Sequence, residues 1–148
     1  MSLLRLRRFD RLDIDACAHW FDDAETARWV SALDKDWLDY VSDADGGAVA
    51  EIATLGNAPV ALLQYDVEGD NGVSLLITVD PQRRRQGVGR QVLDAFLHRA
   101  AERFEYADAY VAHENAAALA LVRHCRFRPL ATDAEGFIQF RRLLRETP

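Results

Sequence analysis

Lysine is nearly missing from this chain: Lys35 is the only one among 148 residues. That excludes a P-loop, whose Gly-x-x-x-x-Gly-Lys-[Ser/Thr] run needs a lysine on the phosphates. Cysteine is scarce as well. Cys17 and Cys125 are too few for a disulfide scaffold, and no Cys/His cluster has zinc spacing, so no metal is expected. His19, His98, His113 and His124 show no ligand spacing either. No apolar run approaches the ~20 residues that cross a bilayer. The opening residues, MSLLRLRRFD, thread arginines through leucines and do not read as a signal peptide. Repeats, low-complexity tracts and linkers are absent. The expectation is one soluble domain over residues 1–148, in a reducing cytoplasm and away from membranes.

Charge is unevenly spread. Eighteen Lys/Arg against 24 Asp/Glu give a net charge of −6, which weighs against duplex nucleic acid as a partner. Residues 1–80 carry 6 basic and 16 acidic side chains, whereas residues 81–148 carry 12 and 8. Two readings stand: chance asymmetry on a solvated surface, or two oppositely charged ligands meeting in one cleft.

Leu4 and Leu6 alternate with Arg5 and Arg7, a short half-buried strand. From Leu12 to about Tyr40 apolar residues return at helical spacing, which predicts two or three helices, the second capped by Asp22 or Asp23. Turn chemistry follows at residues 42–47, then strands near 48–54, 60–67 and 73–79 with hairpin-like connections. Val88, Val92, Leu93, Phe96, Leu97, Ala100 and Phe104 form the clearest amphipathic helix. A strand at 106–112, a helix from Asn115 to about His124 and two C-terminal strands complete an α+β domain with a mixed sheet.

The segment VDPQRRRQGVGRQVL, residues 79–93, joins a strand to that helix. A helix start leaves backbone N–H groups unpaired, the helix dipole adds positive potential, and glycines let the backbone close on a ligand oxygen. A phosphate or pyrophosphate suits such a loop. The dinucleotide fingerprint Gly-x-Gly-x-x-Gly fails here, because its third glycine is Val92 and a polar, proline-containing stretch separates the strand from Gly87.

This segment resembles the acyl-CoA-binding motif of the GNAT superfamily of N-acetyltransferases, [Arg/Gln]-x-x-Gly-x-[Gly/Ala], matched by Arg84, Gly87 and Gly89 after a Val79-Asp80-Pro81 lead-in. Asn115, Ala118, Leu121 and Phe127 match a second family element, and the element order agrees over nearly the whole chain. The stretch HWFDDAETARWV loosely resembles the branch with ribosomal-protein and aminoglycoside acetyltransferases. The resemblance implies a single-domain GNAT-like fold: a mixed, mostly antiparallel sheet of six or seven strands, flanking helices and a central βαβ cofactor site. It also implies acetyl-CoA as cosubstrate and direct attack by a primary amine; the charge distribution alone points to a cationic acceptor, a small cationic amine or a peptide N-terminus, collected by acidic residues of the first half. Backbone groups of Ile77 and Val79 would meet the pantetheine arm. Those from Arg84 through Arg85, Gln86, Gly87 and Val88 to Gly89, with Arg90 beside them, would hold the pyrophosphate. Asn115 would reach the pantetheine arm, and a backbone N–H at Ile77 or Thr78 would polarise the acetyl carbonyl.

The chain departs from the family where protons move. The tyrosine that often protonates the leaving thiolate falls on Val122, and the position of a frequent general-base glutamate falls on Val73. The amine either arrives neutral or loses its proton through water to Glu68, Asp70 or Glu51. The alternative is a non-catalytic acyl-CoA-binding or regulatory module; nucleic-acid binding through Arg83–Arg85 is the outlier. Asn115 also reads as a plain helix cap, the cysteines as small core residues, and Trp20, Trp29 and Trp37 as core, with one able to floor an acceptor pocket. A homodimer is compatible with the sequence.

Overall fold

The computed structural model describes residues 3–30 and 33–145. Its regular elements are β1 Leu4–Arg8, α1 Ile14–Cys17, α2 Ala24–Trp29, α3 Lys35–Ser42, β2 Ala48–Leu55, β3 Ala58–Glu68, β4 Gly72–Val79, α4 Val88–Ala100, β5 Tyr106–Ala112, α5 Ala116–His124, β6 Arg128–Thr132 and β7 Phe137–Leu143. The strands form one mixed sheet in the order β1-β2-β3-β4-β5-β7-β6. The pairs β1–β2, β5–β7 and β6–β7 are antiparallel and β4–β5 is parallel. That is the α+β architecture expected, with α4 as the crossover between the parallel strands.

By packing, the chain divides into two compact units, residues 1–65 with 76–92 and residues 66–75 with 93–148. In the first, Cys17, Trp20, Phe21, Val41, Ala50, Ile52 and Leu62 make a buried cluster, with Phe9, Val30, Leu33 and Trp37 packed against it. The stretch predicted as two or three helices breaks into shorter pieces here. Single 3-10 turns at Arg11–Asp13 and Ala18–Asp22 flank α1, and α2 and α3 are separate. Aspartates impose the breaks. Asp10 accepts from the Leu12 N–H, Asp23 from the Thr26 N–H and Asp34 from the Trp37 N–H, and each side chain that caps a new start ends the previous run. Arg7 fastens β1 to the first turn by donating twice to Asp13, at 2.7 and 2.8 Å.

In the second unit, buried Ala107, Ala109 and Val111 alternate along β5 with Tyr106, Asp108 and Tyr110. The small residues let α5 pack onto the strand. Asp108 is 0% exposed, yet it accepts from Arg141 Nε and Nη2 at 2.7 and 3.0 Å and from Gln139 at 2.9 Å. Arg141 is its register partner on β7, so the sheet itself supplies the counter-charge that a buried carboxylate needs. The Arg141 guanidinium also lies 3.8 Å from the centre of the Tyr106 ring. Tyr106 in turn covers Gly72, where any added Cβ would come within 2.1 Å of the ring.

Candidate functional site

In the first unit β4 runs into the loop singled out from sequence. Asp80 shapes the exit: its N–H donates to the Val60 carbonyl at 2.9 Å, and its side chain accepts from the Gln82 N–H at 3.0 Å. Pro81 then opens a 3-10 turn, Pro81–Arg83, for which its fixed φ is pre-set. After Arg84, two residues take the left-handed region, Arg85 at φ 63° and Gly87 at φ 78°. Arginine rarely adopts that conformation, which costs on the order of 1–2 kcal/mol without a glycine. These two left-handed residues, separated by one position, bend the chain sharply into the helix that follows.

Helix α4 begins at Val88, and its first helical bond within the turn runs from the Gln91 N–H to the Gly87 carbonyl at 3.1 Å. The N–H groups of Val88 and Gly89 precede it, in the first turn, where a helix supplies no intrahelical acceptor. A Cβ added at Gly87 would meet no atom within 4 Å, so space lies open on that side. Two left-handed turns, a helix start and open room at Gly87 suit the pyrophosphate of a nucleotide-bearing cosubstrate.

The Arg84 side chain turns elsewhere. It donates to Asp23 and, at 3.0 Å, to Thr26 Oγ1, with Glu25 3.8 Å away. Asp23 is the N-cap of α2, and the Arg84 guanidinium, followed by the Thr26 N–H, holds its carboxyl down at about 2. The motif arginine thus ties the loop to the helix that carries Trp29. No reading of spacing finds this contact, because the two residues stand 61 positions apart.

A cavity of about 280 Å3 opens in the same unit. Phe21, Trp29 and Trp37 bring rings to it, and Val30, Leu33, Leu62 and Leu76 bring aliphatic surface. Gln64 and Thr78 are its polar members, and the Gln64 amide oxygen accepts from the Trp37 indole at 2.8 Å. Of the three tryptophans, Trp20 belongs to the core, whereas Trp29 and Trp37 line this cavity. Leu76 and Thr78 flank Ile77 on β4, so the cavity abuts the backbone proposed from sequence to polarise an acyl carbonyl.

Of the remaining sequence candidates, Asn115, Glu68 and Asp70 lie in the second unit and Glu51 in the first. Asn115 caps α5 through its Oδ1, which accepts from the Ala118 N–H at 3.2 Å, leaving the amide nitrogen as donor. Glu68, near the end of β3, accepts from the Tyr110 hydroxyl at 3.3 Å. Burial, then the neighbouring Glu68 charge, pushes the Tyr110 hydroxyl above its usual value. That hydroxyl was missed from sequence; the alternation of Tyr106, Asp108 and Tyr110 along one face of β5 was its signal. Asp70 is exposed in the turn after β3. Glu51 is buried on β2. Val73 and Val122 are buried core residues and offer no proton transfer. The β4–β5 ladder pairs Gly72–Ser74 with Tyr106–Asp108, three residues from strands of eight and seven. Cys17 is buried, which pushes its thiol up to about 11, so it is inert at neutral pH. Among the described residues, no cluster of three or more His, Cys, Asp or Glu could hold a metal, and no helix is long and apolar enough to cross a membrane.

Residues 14–127 match the acetyltransferase (GNAT) family. Mycothiol acetyltransferase of Clavibacter michiganensis subsp. michiganensis is 40% identical over 77 residues, 51% of this chain and 24% of that protein. The chain therefore matches about a quarter of the length of its curated relatives. Among solved structures, the ribosomal-protein-S18-alanine N-acetyltransferase from Escherichia coli has a TM-score of 0.75 at 20% identity, covering 99% of this chain and 97% of that one. An aminoglycoside acetyltransferase in complex with coenzyme A has a TM-score of 0.79 at 14% identity, covering 95% of each chain. These structures share the fold, and the family match spans most of the sequence, including the whole loop and the Asn115 helix. The chain belongs to the acetyltransferase (GNAT) family.

Proposed function

We propose that the chain, as a single domain over residues 1–148, moves an acetyl group from acetyl-CoA to a primary amine by direct attack. The observation that carries this reading is the loop: Arg85 and Gly87, both left-handed, lead directly into the start of α4, with open space beside Gly87. Acetyl-CoA, when bound, supplies an activated thioester. Backbone groups from Arg84 to Gly89, with Arg90 beside them, would hold its pyrophosphate, and Ile77 and Val79 its pantetheine arm, joined by the Asn115 amide nitrogen. The Ile77 or Thr78 N–H would stabilise the oxyanion as the amine nitrogen bonds to the carbonyl carbon, an interaction worth ~3 kcal/mol where such donors have been removed.

The carbon–sulfur bond then breaks and the thiolate leaves. With a thiol pKa near 8.5 it departs without a dedicated acid, which suits valine at position 122. The ammonium proton passes to water or to a carboxylate. Of Glu68 and Asp70 we favour Glu68, because a half-buried group already hydrogen-bonded to Tyr110 is better held than an exposed one. Glu68→Gln should then lower kcat about tenfold or more and leave acetyl-CoA affinity unchanged, as removal of a positioned base does. Asp70→Asn should change neither. Equal, wild-type rates for both variants would remove the carboxylate from the scheme.

One observation favours a second reading. Both positions where relatives often carry an acid or base are buried valines, as in a module that binds acyl-CoA without turning it over. Following free thiol while acetyl-CoA and an amine are mixed with the protein separates the two.

A further inference from the structure

Charge distribution pointed towards a cationic acceptor gathered by the acidic first half. The cavity beside β4 has a different character. None of its described lining residues is charged, seven are apolar or aromatic, and its amide oxygen is already taken by the Trp37 indole. Six of the sixteen acids of the first half are engaged locally. Asp10, Asp23 and Asp34 cap helical turns, Asp43 accepts from the Asp45 N–H, Asp13 is paired with Arg7, and Lys35 with Asp39. The Arg28 guanidinium stacks 4.4 Å from the centre of the Trp29 ring, placing positive charge next to a ring that faces the cavity.

We infer that the acceptor is a primary amine carrying one uncharged apolar group, an aryl or branched alkyl chain, which seats among Trp29, Trp37, Leu62 and Leu76 with its nitrogen towards Ile77. This rests on the acetyltransferase reading and sharpens it. About 280 Å3 is at the small end of ligand pockets, roughly 300–1,000 Å3, and fits a one- or two-ring amine. A di- or polyamine would bring a second ammonium into the cavity with no carboxylate to meet it, and a lone charge in apolar surroundings is strongly disfavoured. The same surroundings favour the neutral form of the single amine, which is the nucleophile. An apolar pocket thereby does part of what a general base at position 73 does in relatives.

The test uses the full chain with saturating acetyl-CoA, follows free thiol, and compares phenethylamine and 3-methylbutylamine with putrescine and spermidine. Acetyl-CoA affinity is measured separately by calorimetry. The expected kcat/KM for the two apolar amines exceeds that for putrescine and spermidine by about tenfold or more, the scale on which an apolar pocket discriminates. Leu76, 43% exposed, tolerates a charge, and Leu76→Asp should shift the preference towards putrescine while acetyl-CoA still binds. Higher kcat/KM for putrescine or spermidine in the wild type would overturn the acceptor assignment and leave acetyl transfer standing. Tight acetyl-CoA binding with no thiol released by any amine would overturn the acetyltransferase reading itself, and this inference with it.

Discussion

Gly87 is one of two left-handed residues in the loop between β4 and α4, the proposed acetyl-CoA cradle. Its φ of 78° sits in the left-handed region and its missing Cβ leaves open space, so substitutions separate strain from occupancy. Gly87→Ala should weaken acetyl-CoA binding only several-fold, from a backbone cost of about 1 kcal/mol. Gly87→Glu adds bulk and a negative charge beside a pyrophosphate and should weaken binding more than about a hundredfold. Arg83→Ala should stay within about twofold by calorimetry, since the backbone carries the contact; if it proved the more sensitive site, the cradle would be wrong. Asp23 makes a second prediction, in pH. Its folded-state value of about 2 lies below the ordinary 3.8 because of Arg84. The stability it contributes is therefore complete above about pH 4 and lost as pH falls towards 2. Thermal midpoints of wild type and Asp23→Asn should differ at pH 5 and converge near pH 2; a gap that persists at pH 2 would contradict the assignment. The loop glycines were legible in the sequence because their spacing is local. The partner of Arg84 was not, since only the folded chain brings position 23 to position 84.

Among the elements, α5 ends in a way that explains one departure from the family pattern. Where relatives have glycine, this chain has Arg126, at φ 67°. The Phe127 N–H reaches the Val122 carbonyl at 2.9 Å and the Arg126 N–H reaches Arg123 at 3.1 Å, the two bonds of a Schellman cap. The cap geometry is kept and the arginine carries the strain. Arg126→Gly should thus stabilise the fold by about 1 kcal/mol, raising Tm by roughly 3 °C; an unchanged or lower Tm would show that the side chain supplies an offsetting interaction. The β5–β7 pair holds a larger energy. Arg141→Met leaves Asp108 buried without its counter-charge and should cost about 3–5 kcal/mol in denaturant unfolding. A loss under about 1 kcal/mol would mean that Gln139 and water suffice. The amphipathic α4 and the alternating β5 were readable because their periods are unbroken. The segment from Leu12 to Tyr40 was readable only as helical, because side-chain caps, which act below the level of periodicity, divide it.

For the whole molecule, the order of elements and the crossover α4 were legible in the sequence, whereas the insertion of β7 between β5 and β6 was not. The acceptor side was less legible. Its walls come from α2, α3, β3 and β4, and whether they enclose charge or rings is decided by which residues the broken helices turn inward. Three of the sixteen acidic residues in the first eighty, Asp10, Asp23 and Asp34, cap the starts of short helical turns, so charge counts alone do not locate an acceptor site. The central claim is acetyl transfer through a backbone cradle, and one measurement meets it most directly: free thiol released from acetyl-CoA by wild type and by Gly87→Glu across a panel of primary amines. In the wild type, thiol release should be matched mole for mole by acetylated amine, and the variant should release none above background. Acetyl-CoA bound by the wild type with no thiol released, or equal release by both proteins, would contradict it.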